Sequence, residues 1–131
     1  MKVLALDYGS ARTGVAVSDP TGTVARPIEV VQGAAGEAGL ARIAELVREH
    51  AVERVVVGLP LTMSGARGEQ AAATEEFVHL LEKAIDVPVE SFDERFTTDL
   101  AEQGGGESAT DARAAAHLLS SYLTWSSNAP H

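Results

Sequence analysis

Hydrophobic residues occur in short runs separated by turn-forming residues, a pattern that predicts strands alternating with helices. The first run, Leu4 to Leu6, ends at Asp7, and a turn with Gly9 leads to the second run, Val15 to Val17. Residues 24–31 form a third run, in which Pro27 favours an edge strand. Because only short turns join these three runs, they predict an antiparallel meander.

Helical periodicity begins after the glycines of residues 33–36. It predicts a helix of roughly fifteen residues, a second helix after the loop of residues 61–68, and a last helix from about Thr110 to Trp125. Residues 97–103 favour a further short helix. Apolar side chains spaced three and four apart are expected to face inward: Leu40, Ile43, Ala44 and Val47 in the first helix, Ala73, Phe77, Leu80, Leu81 and Ala84 in the second, and Ala115, Leu118, Leu119 and Tyr122 in the last.

Two more strands, residues 54–59 and 87–92, alternate with these helices and are therefore expected to be parallel to the first strand. The pattern predicts an α/β fold of the ribonuclease H-like type, with a mixed five-stranded sheet and helices on both faces. The first and fourth strands should be central neighbours, and the fifth should lie beyond the fourth. We expect a single domain over residues 1–125 and a flexible C-terminal tail over residues 126–131.

Composition narrows the possible functions. The chain of 131 residues has no cysteine, which excludes disulfides, zinc–thiolate sites and thiol nucleophiles. No apolar run approaches the roughly 20 residues that span a bilayer, so a soluble cytoplasmic protein is expected. A formal net charge of −9 repels nucleic acid at long range. A nucleic-acid function would therefore need a locally basic surface or bridging cations.

Three carboxylates are placed to meet at one edge of the predicted sheet. Asp7 ends the first strand and Glu94 follows the fifth, while Asp111 precedes Ala115 by one helical turn and so falls on the inward stripe of the last helix. Converging carboxylates repel each other unless a proton or a cation lies between them. Hard oxygen ligands of this kind favour Mg²⁺ or Mn²⁺, which suits phosphodiester hydrolysis with one metal ion or two.

Each acid also has a simpler interpretation. Asp111 follows Ser108 by three residues and could complete a helix cap, and Glu94 could be a turn acid paired with Arg95. Asp19 and Asp93 are expected to be turn residues.

Four sequence blocks resemble the YqgF/RuvX family of Holliday-junction-resolvase-like proteins. Their order along the chain is D-Y-G with R-T-G-V-A-V-S-D (residues 7–19), V-V-G-L-P-L with Met63, Gly65 and Gly68, F-D-E-R-F-T-T (residues 92–98), and Asp111 with Ala114, Ala115, Tyr122 and Leu123. The blocks span residues 3–123, which makes the match specific.

The resemblance implies a nuclease that processes the 5′ end of precursor 16S ribosomal RNA in ribosome biogenesis, with a possible activity on branched DNA. Within these blocks, the positions of the family's metal-binding acids are occupied by Asp7, Glu94 and Asp111. The supporting groups at the phosphate would be Arg12, Arg67, Arg95 and Thr97. The expected partner is structured RNA or branched DNA, with the small ribosomal subunit as a further candidate and no membrane. The protein is expected to be a monomer or a homodimer.

The segment between Thr98 and Asp111 departs from the family pattern. It has only twelve residues, three of them glycine, and lacks the basic loop that usually leads into the last acid. A non-catalytic RNA-binding or ribosome-associated module is therefore an open alternative. A nucleotide-binding protein of the actin and sugar-kinase type would need a second phosphate hairpin, which the sequence does not show.

Overall fold

The computed structural model describes residues 1–60, 68–94 and 107–128, with the side chains of the last segment described over residues 112–126. These residues form five strands and three helices in the order that the sequence pattern predicts. The further short helix expected over residues 97–103 lies outside the described residues. The strands are β1 (Val3–Asp7), β2 (Arg12–Ser18), β3 (Ala25–Gln32), β4 (Arg54–Leu59) and β5 (Val89–Asp93), and the helices are α1 (Glu37–Glu49), α2 (Glu69–Ala84) and α3 (Glu107–Asn128).

All five strands belong to one mixed sheet of order β3-β2-β1-β4-β5. β1 pairs with β2 and β2 with β3 in antiparallel fashion, whereas β4 is parallel to both β1 and β5. This is the predicted arrangement, with β1 and β4 as central neighbours. The carboxyl ends of β1, β4 and β5 therefore lie at one edge of the sheet, which we call the carboxyl edge.

One face of the sheet packs against α1 and α2. Alternate residues of the central strands point to this face, as the two-residue period of a strand requires. Phe77 and Leu81 of α2 meet them there, both almost inaccessible to solvent. The buried set of this layer comprises Leu4, Leu6, Val15, Val17, Val31, Ala34, Ile43, Leu46, Val47, Val52, Val55, Val57, Phe77 and Leu81.

Among the described elements, α3 is the helix that packs against the opposite face. Small residues on the strands, Ala5 and Ala16, allow the helix to approach closely. All four residues that the sequence places on the inward stripe of α3 are buried there: Ala115, Leu118, Leu119 and Tyr122.

A polar contact joins α3 to the sheet beside this layer. The Arg54 guanidinium donates to the Tyr122 hydroxyl over 3.0 Å, and the hydroxyl donates to Glu90 Oε1, also over 3.0 Å. Burial raises the pKa of Tyr122, so the hydroxyl keeps its proton and can serve as this donor.

Two details differ from the sequence-based expectation. In α2, Leu80 is 42% exposed and Ala73 and Ala84 are also exposed, although all three are expected to face inward, whereas Ala71 and Thr74 are buried. Adjacent leucines lie 100° apart around a helix, so only one of Leu80 and Leu81 can point to the centre of the packed face. In addition, α3 continues to Asn128, past the expected start of the tail at residue 126. Within the described segments, none of the helices combines the length and the apolar character needed to cross a membrane.

Candidate functional site

Three parallel strands, β1, β4 and β5, end at the carboxyl edge, and β2 begins there. Asp7 is the last residue of β1. Asp93 is the last residue of β5, paired with Leu59 at the end of β4, and so belongs to a strand and not, as expected, to a turn. Because β2 runs antiparallel to β1 and Asp7 pairs with Gly14, Arg12 lies at the same edge. The structure therefore places the first candidate acid and the first candidate phosphate-binding residue side by side along one edge.

Asp7 and Glu94 form a carboxyl pair at this edge. Glu94 follows β5 directly, and its side chain is hydrogen-bonded to that of Asp7. Partial burial raises the pKa of Glu94 to about 8, and the hydrogen bond to Asp7 and the negative charges of Asp7 and Asp93 add to the effect. A proton shared by the pair relieves the repulsion that two facing carboxylates would otherwise suffer.

Gly58 belongs to β4, which lies between β1, ending at Asp7, and β5, which Glu94 follows. Leu6 pairs with Val57 and Gly58 pairs with Phe92, so Gly58 lies next to Asp7 on one side and two residues before the level of Glu94 on the other. A Cβ atom at this position would lie 2.6 Å from Glu94 Oε1 and 2.9 Å from Glu94 Cγ. The Glu94 side chain thus lies directly against the bare backbone of β4.

The turn between β1 and β2 is closed by its own residues. Thr13, fully buried, bonds through its hydroxyl to both the amide and the carbonyl of Gly9, each over 3.4 Å. A Cβ on Gly9 would lie 2.5 Å from the carbonyl oxygen of Arg12, so only glycine allows this close approach. Next to Asp7, the Tyr8 ring stacks on Phe77 of α2 with centroids 4.4 Å apart. These contacts hold the backbone that connects Asp7 to Arg12.

Asp19 plays the structural role that the sequence suggests for it. Its carboxylate accepts hydrogen bonds from the Thr21 hydroxyl and from the amides of Thr23 and Val24, the latter two over 2.7 and 2.9 Å. These bonds, with the Thr21 hydroxyl first, lower the pKa of Asp19 to about 2. Since Asp19 follows the end of the antiparallel strand β2, it lies at the edge opposite to Asp7.

Asp111 belongs to α3, one helical turn before Ala115. Ala115 is buried in the same apolar layer as Ala5 and Val56, which precede Asp7 and Gly58 by two residues on their strands. The Asp111 side chain itself lies outside the described residues. So do three other residues of the predicted site, namely Arg67, Arg95 and Thr97.

The donor set of the pair fits a hard divalent cation. Two carboxyl groups that face each other and retain a proton offer oxygen ligands whose charge a cation can neutralise in place of the proton. Among the side chains that the structure describes, no group of three histidine or acidic residues forms a metal-binding cluster. A third protein ligand would therefore have to come from elsewhere, and Asp111 is the sequence-based candidate.

The protonated pair predicts an unusual pH dependence of stability for the cation-free protein. The pKa of Glu94 is about 8 in the folded state and near 4.5 in the unfolded state. The stabilisation of the folded state by protonated Glu94 is therefore complete below pH 4.5 and is lost as the pH rises through 8. We expect the free energy of unfolding to fall by about 2 kcal/mol between pH 5 and pH 8, less than the full shift implies because Glu94 is only part-buried. Urea denaturation in EDTA measures it.

Glu94→Gln is the matched variant, since an amide of the same size does not titrate. Its stability should change less between pH 5 and pH 8 than that of the parent chain. Parallel curves for the two proteins would show that the Asp7–Glu94 pair does not share a proton.

Comparison with known proteins gives consistent results. The family model described as "RuvX: Holliday junction resolvase" matches residues 1–125. A Chloroflexus aurantiacus protein named "Putative pre-16S rRNA nuclease" is 48% identical over 101 residues, which cover 77% of this chain and 66% of that protein. A Desulforamulus reducens protein of the same name is 35% identical over 132 residues, covering 94% of this chain and 96% of its own.

Among solved structures, Thermus thermophilus RuvC in complex with a Holliday junction substrate superposes with a TM-score of 0.63. The alignment covers 97% of this chain and 95% of RuvC at 20% identity. At that identity the similarity shows a shared fold, and it confirms the ribonuclease H-like architecture expected from the order of strands and helices.

Proposed function

The chain belongs to the RuvX family, and on this premise we propose that it is a divalent-cation-dependent endonuclease that processes the 5′ end of precursor 16S rRNA. The observation that carries the proposal is the carboxyl pair of Asp7 and Glu94 at the carboxyl edge. A partly buried pair of carboxyl groups that must share a proton to coexist is unfavourable for folding, which favours a role in binding or catalysis over a structural one.

The proposed roles follow from the positions of the residues. Asp7, at the end of the central strand β1, and Glu94, directly after β5, would provide two oxygen ligands, and Asp111 of α3 would add a third. A Mg²⁺ or Mn²⁺ ion held there would activate water and neutralise the charge that develops on the phosphate. The closed turn around Gly9 and Thr13 fixes Asp7 and Arg12 before substrate binds.

Arg12 would bind a phosphate beside this pair. It lies at the same edge as Asp7, and a guanidinium can hold two phosphate oxygens in a bidentate geometry. By the sequence resemblance, Arg67, Arg95 and Thr97 would complete the phosphate contacts. A local cluster of arginines would counter, at the site, the repulsion between RNA and a chain of net charge −9.

Parallel cleavage assays test the proposal. Purified protein is given a precursor 16S fragment, a four-way DNA junction and a linear duplex of matched length, each with Mg²⁺, with Mn²⁺ or with EDTA. We expect cleavage of the precursor RNA with either cation and none in EDTA. Cleavage that persists in EDTA would contradict the cation-dependent mechanism.

A second candidate is a resolvase activity on branched DNA, which the description of the matching family favours. Cleavage of the junction in preference to the precursor RNA would support it. Binding of RNA with no cleavage at any divalent-ion concentration would instead favour the non-catalytic module.

A further inference from the structure

Gly58 occupies a position in which glycine is unfavourable for the strand itself. It lies in β4, a central strand between β1 and β5, directly after three buried valines. A glycine there provides no side chain for packing and has more conformational entropy to lose on folding. Gly22 and Gly33 are the glycines with positive φ in the described segments, so the extended backbone of Gly58 suits any residue.

The space above Gly58 is filled by Glu94. A Cβ atom at residue 58 would approach three atoms of one side chain, Glu94 Oε1 at 2.6 Å, Cγ at 2.9 Å and Cδ at 3.1 Å. The first two distances are shorter than non-bonded carbon and oxygen atoms adopt. An alanine would therefore displace the Glu94 carboxyl group, since the three atoms nearest to the added Cβ all belong to that side chain.

We propose that Gly58 is a positioning residue, whose bare backbone provides the niche that holds the Glu94 carboxyl group beside Asp7. The inference deepens the proposed nuclease function and relies on it for the activity assays, while the niche itself can be tested without cleavage. A larger residue in β4 would move one of the two acids relative to the other, and so change the spacing of the proposed cation ligands.

Stability measurements test the niche first. Gly58→Ala should lower the melting temperature of the parent chain, because the new methyl group meets Glu94. In a Glu94→Ala background the same substitution should raise the melting temperature, because the obstructing side chain is gone and alanine suits a strand better than glycine. The sign of the effect thus depends on residue 94.

Ser91→Ala is the control for the Glu94→Ala background. Ser91 lies on the same strand as Phe92 but is exposed. Gly58→Ala should lower the melting temperature equally in the Ser91→Ala and parent chains. If Gly58→Ala instead destabilises the Glu94→Ala chain as much as the parent, or prevents it from folding, the clash does not involve Glu94 and the proposal is wrong.

Cation binding supplies the second readout. We expect Mn²⁺, measured by calorimetry in the absence of nucleic acid, to bind 10–100-fold more weakly to Gly58→Ala, the range typical for loss of a group that orients a metal ligand. Val52→Ala, a buried substitution near the start of β4, is the control for destabilisation alone and should leave Mn²⁺ affinity unchanged. Equal affinities in Gly58→Ala and the parent chain would overturn the positioning role.

The two proposals fail in distinguishable ways. If the melting temperatures show the dependence on residue 94 but the parent chain cleaves none of the substrates in either cation, the niche stands and the nuclease function fails. The opposite outcome is that the parent chain and Gly58→Ala both cleave the substrate with the same cation requirement, while the effects of Gly58→Ala and Glu94→Ala on the melting temperature simply add. In that case the nuclease function stands and the niche fails.

Discussion

Replacement of Asp7 by asparagine should reduce cation-dependent cleavage by about 100-fold or more, the loss expected when a metal ligand is removed from a hydrolytic site. The substitution preserves the size of the side chain and removes its charge. Because Asp7 ends a buried central strand beside Glu94, no nearby residue of the strand can replace its carboxylate. Initial rates on the preferred substrate with Mn²⁺ measure the effect, and thermal unfolding followed by circular dichroism verifies the fold.

Asp19→Asn is the control for this experiment. Asp19 also follows the end of a strand, but its carboxylate bonds to Thr21, Thr23 and Val24 at the opposite edge of the sheet. It should retain the parent rate of cleavage even if it unfolds at a lower temperature. Equal rates for the parent and Asp7→Asn would contradict the proposed site, as would equal losses in the two variants.

Replacement of Phe77 by alanine should lower the free energy of unfolding by about 3–5 kcal/mol, the range for removing a fully buried aromatic ring. Phe77 is 1% exposed and is the largest of the fully buried side chains in the described segments. The ring also stacks on Tyr8, so its loss removes support from the turn that follows Asp7. Urea denaturation with fitted m-values measures the change.

Leu80→Ala in the same helix is the comparison, because Leu80 is 42% exposed. It should change the free energy of unfolding by no more than about 0.5 kcal/mol, as is usual for surface substitutions. A loss as large as that of Phe77→Ala would show that Leu80, as the periodicity alone suggests, faces the core.

The sheet could be predicted from the sequence because its order follows from connection lengths. Short turns join the first three strands, and helices precede the fourth and fifth, which leaves few topologies that satisfy the rules for parallel connections. The face of α3 could also be predicted, since Ala115, Leu118, Leu119 and Tyr122 repeat at helical spacing. In α2 the pattern is ambiguous, because Leu80 and Leu81 are adjacent and only packing decides which one is buried.

The candidate site was predictable only where it depends on strand ends. Asp7 and Glu94 were expected at one edge from the parallel order of their strands, and the structure brings them into contact. The close approach of Glu94 to Gly58 depends on side-chain conformation across two strands, which no local pattern encodes. A glycine directly after three valines is the one signal that could have indicated it. The functional roles of all the predicted site residues stay predictions, and the side chains of four of them lie outside the described residues: Asp111, Arg67, Arg95 and Thr97.

The carboxyl pair also has a consequence for directed evolution. A screen of random variants for thermal tolerance at pH 8 in EDTA would select substitutions that remove the repulsion between the carboxyl groups of residues 7 and 94. Such a screen would enrich neutral residues at both positions, and the most heat-tolerant clones would be those that have lost the acids proposed to cleave RNA. Adding Mn²⁺ to the selection buffer should reverse that preference, because the cation would then be part of the folded state.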